Sequence, residues 1–457
     1  MVVPLPSRSG GCVVVVGSQW GNEGKGKLVN ELCKNADVCA RFNGGANNVH
    51  TVSVNSSGRV FIGRPAGGKN DSKTILLRLF PLGVVNRNCK VVFGSGMVIH
   101  LPTLLNEIEA IQGSFDPHVM DRIYISSRAH IVFDLHQLVD TMFEELRENR
   151  LGTSQKGIGP AYSTKTIRNG LRMGDLFSSD SIVKEKVNEL VTYFTRFSLS
   201  EAISGSVIDV DKICADHMRM FGRIRDCVVD TVALLDKFQK QNLSIVCEGS
   251  NSVMSDVDFG TYPFVTSSNT TPGSASIGLG IPPTKISKVV GVCKSYTSRP
   301  QHWFPSILPP TNPEAIQLVD RGHEIGTSGG EARKVGWLDL VQVKYAADIS
   351  GFDSLFITKL DALTGLSQIG IVTAYSNFDV STNGYPSSIE KFETLEPVIE
   401  YLAGWSEPLN QVSQISHLPP NAKSFLKFIE TFTGVPVEFV QLGCPETVLT
   451  DKDIIRQ

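Results

Sequence analysis

The sequence predicts an α/β fold with a large, mostly parallel central sheet that helices flank. Two observations carry this prediction. Short apolar runs rich in β-branched residues recur along the chain and alternate with longer segments of helical periodicity, an order typical of βα units. The apolar runs are continuous rather than alternating, which is the pattern of strands that are buried on both faces of a sheet.

The elements follow from these runs in chain order. The predicted strands are Cys12–Val16, Val91–Phe93, Arg122–Ile125, Ser244–Cys247, Lys288–Cys293, Ser354–Thr358 and Ile369–Tyr375. The predicted helices are Lys25–Cys33, Leu104–Gln112, Leu135–Arg147, Ser181–Phe197, Val210–Gln241, Asp339–Ile349 and Ala422–Thr433. Because the chain shows neither an internal repeat nor a low-complexity linker, we expect one large domain over residues 1–457, with a helical insertion at about 178–242.

Composition narrows the class of protein. The 457 residues are 41% hydrophobic, enough for a large core, and the net charge of −3 argues against a protein built mainly to bind nucleic acid. The valine run Val13–Val16 is far too short for a signal peptide or a membrane span, so no membrane partner is expected. Nine cysteines without a CxxC pair predict reduced thiols and a cytoplasmic location.

A glycine-rich loop follows the first predicted strand and precedes the first predicted helix. It runs from Gly17 to Lys27, and it carries Lys25 and Lys27 where phosphates would lie. Small residues let the backbone approach an anion, and the start of a helix directs free N–H groups toward it. The loop matches neither GxxxxGK[ST] nor GxGxxG. It therefore predicts a phosphate site of another kind, the alternative being a glycine-rich turn with solvated lysines.

A second signal follows the apolar strand at Leu355–Thr358. Lys359 and Asp361 stand two residues apart there and resemble the NKxD element of GTP-binding proteins. A carboxylate accepts hydrogen bonds from guanine N1–H and the 2-amino group together, whereas adenine offers no such pair, and the lysine stem can lie over the base. The alternative is an ordinary Lys-x-Asp surface pair.

Longer motifs cover almost the whole chain. They are QWGNEGKGK (Gln19–Lys27), GSGMVIHLP (Gly94–Pro102), SSRAHIVFDLHQ (Ser126–Gln137), KGIGPAYSTK (Lys156–Lys165), GLRMGDLF (Gly170–Phe177), DFGTYPFVTSSNTT (Asp258–Thr271), GLGIPP (Gly278–Pro283), GWLDL (Gly336–Leu340) and TKLD (Thr358–Asp361). By these motifs the sequence resembles the adenylosuccinate synthetase family, as a divergent, eukaryote-like member.

The resemblance implies a function and an architecture. The family uses GTP and Mg²⁺ to phosphorylate the 6-oxygen of IMP, and the amine of L-aspartate then displaces the phosphate to give adenylosuccinate. This chemistry turns a poor leaving group into a good one, and it needs positioned phosphates and neutralised charge. The family fold is one large, mostly parallel α/β sheet with helical appendages. The family enzyme is a homodimer, in which one subunit lends an arginine to the IMP phosphate of its neighbour.

The resemblance also implies roles for residues at the matching positions. The family's catalytic residues correspond to Asn22, Lys25 and the general acid His50. IMP would be bound by Asn47, Ser154, Asn251 and Thr266, with Arg168 reaching across the dimer. GTP phosphates would contact Gly24, Lys25, Gly26 and Lys27, and guanine would contact Lys359, Asp361 and Gly443. The carboxylates of aspartate would meet Ser328 and Arg333, and Mg²⁺ would meet Asn22 and Val49.

Three positions depart from the family pattern. Asn22 replaces an aspartate that serves the family as catalytic base and Mg²⁺ ligand, and an amide cannot accept the N1 proton of IMP. Val49 replaces a glycine, and a β-branched residue cannot copy a glycine at positive φ. Glu331 replaces an arginine of the amino-acid loop, where a carboxylate would repel a dicarboxylic substrate.

These departures leave two alternatives beside the GTP-dependent synthesis of adenylosuccinate. The chain could be a ligase for a different amine or purine monophosphate, with Glu331 favouring a positively charged substrate. It could also be a catalytically silent nucleotide-binding homologue that pairs with an active subunit. All three readings predict nucleotide binding, so turnover assays are needed to separate them.

Overall fold

A computed structural model describes residues 11–55, 60–63, 73–198, 208–324, 332–410, 412–442 and 447–450. Its strands are β1 (Cys12–Gly17), β2 (Val38–Arg41), β3 (His50–Val54), β4 (Val60–Ile62), β5 (Lys73–Leu77), β6 (Lys90–Phe93), β7 (Val98–His100), β8 (Ile123–Ser126), β9 (His130–Val132), β10 (Val228–Val229), β11 (Ile245–Ser252), β12 (Ile286–Lys294), β13 (Thr297–Arg299), β14 (Lys334–Gly336), β15 (Leu338–Asp339), β16 (Ser354–Thr358), β17 (Gln368–Tyr375), β18 (Pro397–Ala403), β19 (Val437–Leu442) and β20 (Thr447–Thr450). Its helices are α1 (Lys25–Cys33), α2 (Leu101–Gln112), α3 (Asp134–Glu145), α4 (Ile158–Thr166), α5 (Asp180–Tyr193), α6 (Val210–Gly222), α7 (Thr231–Lys240), α8 (Gly273–Leu279), α9 (Pro313–Gly322), α10 (Leu340–Ser350), α11 (Val380–Asn383), α12 (Ile389–Glu393) and α13 (Pro420–Thr433).

The central sheet confirms the predicted fold class. Its order is β10-β8-β6-β2-β11-β1-β12-β16-β19-β20, with parallel pairing from β10 to β19 and an antiparallel β20 at the edge. Alternate residues of β1 enter two different hydrophobic cores: Val13 and Val15 pack in one with α1 and α2, whereas Val14 and Val16 pack in the other with α10 and α13. Burial on both faces explains why the run is continuously apolar.

One predicted strand lies outside the central sheet, and one predicted helix is wrong. The run Ile369–Tyr375 lies in β17, which belongs to a separate three-stranded sheet with β15 and β18. A continuous apolar run indicates that a strand is buried, but it does not indicate which of the sheets the strand belongs to. The single helix predicted over Val210–Gln241 is wrong, because α6 ends at Gly222, β10 joins the edge of the central sheet, and the Asp230 carboxylate caps α7. The segment 178–242, predicted as a helical insertion, therefore contains a strand of the central sheet.

The described residues also bear on the predictions about membrane spans and cysteines. Within them, no helix is both long enough and apolar enough to cross a membrane. The eight cysteines found there are all buried and unbridged. Cys444 lies outside the described residues.

The sheet topology places a crevice at the carboxyl end of β1. The chain continues from β1 to β2 on one side, with β11 between them, and from β11 to β12 across β1. Ligands of open α/β sheets bind where the strand order reverses in this way, beyond the carboxyl ends of the strands. The loops that follow β1, β2, β12 and β16 all open at this edge.

Candidate functional site

The glycine-rich loop joins β1 to α1 at the crevice. Gly24 adopts φ 88° and precedes α1, and no side chain caps the helix. The Lys27 N–H donates to the Gly24 carbonyl at 3.0 Å, so the N–H groups of Lys25 and Gly26 are the ones open to an anion, as the loop predicts. From β16, the Thr358 hydroxyl donates to the Glu23 carbonyl at 2.6 Å, which fastens the loop to a second strand of the sheet.

A buried carboxylate that the sequence analysis missed organises this loop. Glu23 accepts hydrogen bonds from the backbone N–H of Gly21 (2.8 Å), from Lys25 Nζ (2.7 Å) and from Ser252 Oγ (2.9 Å). Burial alone would raise the pKa of Glu23, but the adjacent Lys25 holds that pKa below its usual value. Lys25 also donates to Ser252 Oγ at 2.9 Å. Its ammonium is thus fixed at the floor of the loop.

His50 lies directly against the start of α1. A Cβ atom on Gly26 would come within 3.1 Å of His50 Nδ1, so the imidazole and the predicted phosphate site are neighbours. On its other side, His50 Nε2 lies 3.4 Å from Glu248 Oε1, at ion-pair distance but outside hydrogen-bond geometry. Burial would raise the pKa of Glu248, but His50 and Arg41 hold that pKa below its usual value. A buried anion therefore stands behind the imidazole.

Glu248 is a second residue that the sequence analysis missed. It is the charged residue of the otherwise uncharged strand β11, and a charge in an apolar strand was the available signal. Its Oε2 accepts the backbone N–H of Leu82 at 2.7 Å. The neighbouring Arg41 is fully buried and donates to the carbonyls of Asn43 (3.3 Å) and Gly45 (2.8 Å). These bonds hold the loop that leads to His50.

Three of the residues predicted to bind IMP lie together. Asn47 Nδ2 lies 3.3 Å from Asn251 Oδ1 and 3.5 Å from Thr266 Oγ1. The other two lie apart from this group within the described structure. Ser154 is exposed in the loop before α4, and Arg168 is exposed just after α4. Neither makes a described contact with the three.

Lys359 and Asp361 follow β16 as predicted, but the Lys359 ammonium is already engaged. Lys359 Nζ donates to the Gly322 carbonyl and to Glu324 Oε1, both at 2.7 Å. Asp361 is half-buried. Of this pair, the Asp361 carboxylate is therefore the group more readily offered to an incoming base.

Glu324 is a third carboxylate that the sequence analysis missed, and it is fully buried. Its Oε1 accepts from Lys359, from Lys294 Nζ (2.9 Å) and from the Tyr296 hydroxyl (2.7 Å). Its Oε2 accepts from Ser298 Oγ (2.9 Å) and Asn22 Nδ2 (3.0 Å), and it lies 3.3 Å from Arg333 Nε. We call these seven residues the Glu324 cluster.

Burial and charge oppose one another in the Glu324 cluster. Burial would raise the pKa of Glu324, but Lys294, Lys359 and Arg333 together hold it well below the usual value. Burial lowers the pKa of Lys294 to about 7 against the attraction of Glu324. The cluster carries three basic groups around one carboxylate, so it suits an additional anion.

The predicted metal ligands offer neutral oxygens. Asn22 is exposed, and because its amide nitrogen donates to Glu324, its amide oxygen is the atom that can meet a ligand. Val49 is not among the residues with positive φ, so its backbone differs from the glycine conformation considered above. Across the described ranges, no group of three or more His, Cys, Asp or Glu side chains is placed to hold a metal. The amide and carbonyl oxygens fit a Mg²⁺ ion that takes its remaining ligands from water and phosphates.

Three predicted site residues cannot be placed. Ser328 and Glu331 of the amino-acid loop and Gly443 of the guanine site lie outside the described residues. Arg333 is described, and its Nη2 is buried without a hydrogen-bond partner there.

Comparisons with known proteins identify the relatives of this chain. The family model described as adenylosuccinate synthetase matches residues 14–448. The adenylosuccinate synthetase of Schizosaccharomyces pombe is 39% identical over 438 residues, covering 95% of this chain and 94% of that protein. That of Trichoplax adhaerens is 39% identical over 442 residues, covering 95% and 94%.

Two solved structures share the architecture. The fully ligated adenylosuccinate synthetase from Plasmodium falciparum matches with a TM-score of 0.83 and 36% identity, covering 96% of this chain and 99% of that chain. A cyanophage S-2L succinoaminodeoxyadenylate synthetase, bound to dGMP and dATP, matches with a TM-score of 0.57 at 19% identity, covering 96% and 95%; it shows likeness of fold alone.

Proposed function

The chain belongs to the adenylosuccinate synthetase family of GTP-dependent C–N ligases, and from this premise we propose that it converts IMP, L-aspartate and GTP into adenylosuccinate, GDP and phosphate. One observation supports this proposal most strongly. The uncapped start of α1 lies against the His50 imidazole at Gly26, and Lys25, the first residue of the same helix, has its ammonium held by Glu23 and Ser252. The reaction needs a site that holds the transferring phosphoryl group, a cation that stabilises its charge, and a proton donor for the 6-oxygen of IMP, which accepts the phosphoryl group.

In the first step, the 6-oxygen of IMP attacks the γ-phosphorus of GTP, and GDP leaves. The N–H groups of α1 and Lys25 would hold the transferring phosphoryl group and stabilise its charge. His50 would donate a hydrogen bond to the 6-oxygen. Glu248, 3.4 Å behind His50, would stabilise a protonated imidazole.

Asn22 would contact IMP without taking its N1 proton, which would pass to solvent water as the 6-oxygen is phosphorylated. Its amide oxygen can accept a hydrogen bond from N1–H, but an amide is not a base at neutral pH. Without a positioned base, the first step is expected to be slower by about 10²–10⁴ than with a carboxylate at this position. The ligase is therefore proposed to be active but slow.

The second step needs the amino-acid substrate beside the phosphorylated base. The amine of aspartate attacks C6, and phosphate leaves with the former 6-oxygen. The buried Nη2 of Arg333, which has no described partner, would pair with a substrate carboxylate. Asp361 would read guanine, and Asn47, Asn251 and Thr266 would hold IMP.

Mg²⁺ fits the neutral oxygens of Asn22 and Val49, and when bound it would neutralise charge on the GTP phosphates. Because the described residues hold no group of three or more His, Cys, Asp or Glu side chains placed to bind a metal, the affinity for Mg²⁺ would depend strongly on the phosphates of the substrates. Binding of the metal should therefore require GTP.

We also propose a homodimer that forms through α3 and α4. These helices pack together, and they expose Leu138, Phe143, Leu146 and Ile167, of which Leu146 is 75% exposed. Exposed apolar side chains on, or directly after, two helices that pack together favour a protein partner. Arg168 follows Ile167 directly, so a dimer formed here would place it at the interface. The buried, unbridged cysteines favour a cytoplasmic location.

The dimer can be tested by complementation. Arg168→Ala and His50→Gln are each expected to be nearly inactive alone. If the active site takes Arg168 from the neighbour, mixing the two variants through an unfolding–refolding cycle restores activity, because hybrid dimers contain one complete site. Mixtures that stay inactive, although the variants co-assemble by native mass spectrometry, would contradict the shared arginine.

The activity itself is tested with purified protein, GTP, Mg²⁺, IMP and L-aspartate, following adenylosuccinate and phosphate together. We expect equal amounts of both products, and none without IMP. Phosphate without adenylosuccinate, followed by product with another amine, would favour the ligase of changed specificity. No product with any amine or purine monophosphate would favour the silent homologue.

A further inference from the structure

Glu324 contacts residues from three separate functional segments. Asn22 belongs to the loop after β1, Lys359 follows β16, and Arg333 directly precedes β14. In the proposed function these segments serve IMP, guanine and the amino acid respectively. We propose that Glu324 is a positioning residue that fixes the three segments relative to one another and thereby couples GTP binding to aspartate binding. This inference rests on the proposed function and deepens it.

The geometry allows little freedom around this carboxylate. Glu324 is fully buried, and both of its oxygens are saturated with partners at 2.7–3.0 Å, with Arg333 at 3.3 Å. Asn22 and Arg333 meet the same oxygen, Oε2, while Lys359 meets Oε1. Moving any one partner therefore disturbs the bonds to the others.

Charge makes the coupling strong. Lys294, Lys359 and Arg333 converge on a single anion, and the ammonium groups of Lys294 and Lys359 also lie 5.1 Å and 6.0 Å from the centre of the Tyr296 ring. Without the carboxylate, three cations in a buried space would repel one another. A ligand that binds Lys359 or Arg333 weakens the ion pair of that residue with Glu324. It must therefore change the strength of the ion pair between Glu324 and the other residue. Two sites that bias one shared element are coupled reciprocally.

The test measures binding rather than turnover, so its outcome is independent of whether the chain makes adenylosuccinate. Calorimetry gives the Kd of GTP, measured with a non-hydrolysable γ-phosphate analogue so that no turnover occurs, with and without saturating L-aspartate, in the presence of IMP and Mg²⁺. In the wild type we expect aspartate to change the GTP Kd by at least fivefold, within the usual range of allosteric coupling. In Glu324→Gln the factor is expected to fall below twofold, while the Kd of IMP changes by less than threefold.

The matched control is Tyr296→Phe. It removes one hydrogen bond from Glu324 Oε1 but keeps the ring beside Lys359 and leaves the bonds from Asn22, Lys359 and Arg333 to Glu324 in place, so it should keep the coupling factor. Glu324→Asp is the second variant; it keeps the charge needed for folding, withdraws the carboxylate by one methylene, and should also lose the coupling. Any one of three results would overturn the proposal. Aspartate could leave the GTP Kd of the wild type unchanged, both Glu324 variants could retain the coupling, or Tyr296→Phe could lose as much of the coupling as they do. If adenylosuccinate is not formed but the coupling is present, only the proposed reaction fails.

Discussion

The side-chain amide of Asn22 donates a 3.0 Å hydrogen bond to Glu324, a buried carboxylate 302 residues away in the chain. The family motif has an aspartate at the Asn22 position, and an aspartate in the same rotamer would set two carboxylates against each other. An asparagine therefore suits this position better than an aspartate would, because its neighbour is a carboxylate. It supplies a donor to Glu324, and it removes a base from the site.

Asn22→Asp should restore the missing base. We expect kcat to rise at least tenfold at neutral pH, since a positioned base contributes about 10²–10⁴ in rate. The cations of the Glu324 cluster would offset the repulsion from Glu324 and keep the new carboxylate ionised. The matched control is Asn22→Ala, which removes the amide without adding a base and should not raise kcat. A folded Asn22→Asp protein that is no faster than the wild type would show that the lost base does not limit the rate.

His50→Gln should remove the proposed proton donor. We expect kcat to fall by about 10²–10⁴ while the Kd of GTP changes by less than threefold, because the imidazole acts on the 6-oxygen of IMP rather than on GTP. Exposed His118 gives a matched control, since His118→Gln alters a histidine far from the crevice in the fold. Steady-state rates and calorimetric binding of GTP check both expectations. A His50→Gln enzyme with normal kcat would exclude the imidazole from the reaction.

Gly26→Ala should reduce activity by crowding the imidazole of His50. The added Cβ would lie 2.6 Å from Leu82 Cδ1 and 3.1 Å from His50 Nδ1, so it must displace the imidazole or the leucine. We expect kcat to fall at least tenfold. Gly222→Ala, at the end of α6, is the control, because its Cβ meets nothing within 4 Å and should leave kcat unchanged. Equal activity in the two variants would mean that His50 has room to move without consequence.

Buried Asp339 should make stability depend on pH. Burial raises its pKa from 3.8 to about 6, so the folded state holds a proton that the unfolded state releases between these values. Stability from this group is therefore present at low pH and is lost as pH rises from about 4 to 6, by about 3 kcal/mol at most. Asp339→Asn removes the effect; its amide oxygen can accept from the Gln342 N–H, and its amide nitrogen can donate to the Tyr375 hydroxyl oxygen. The Tm of Asp339→Asn minus that of the wild type should grow between pH 4 and 7; a constant difference would contradict this.

Local patterns sufficed for much of the fold. The helix Lys25–Cys33 and the strand Ser354–Thr358 have the predicted bounds, because glycines, periodicity and continuous apolar runs are local signals. The break within Val210–Gln241 was missed although Gly222 and the capping residue Asp230 are local signals too. The Asp230 carboxylate accepts the first backbone N–H groups of α7, and this starts a new helix there.

The carboxylates of the candidate site were not predictable in the same way. Glu23, Glu248 and Glu324 are defined by their contacts with Ser252, His50 and Lys294, and two of these partners lie about 200 or more residues away. Only the topology of the sheet brings such pairs together. The family resemblance supplied positions for substrate contacts, but it did not predict that the Asn22 amide donates to the buried Glu324 carboxylate.

The path of the 6-oxygen tests the central claim most directly. The enzyme is supplied with IMP carrying ¹⁸O at position 6, together with GTP, Mg²⁺ and L-aspartate, and the released phosphate is analysed by mass spectrometry. If the chain activates IMP by phosphorylating its 6-oxygen, each phosphate released with adenylosuccinate carries one ¹⁸O atom. Adenylosuccinate formed with unlabelled phosphate, or labelled IMP left unchanged while GTP is hydrolysed, would contradict the account.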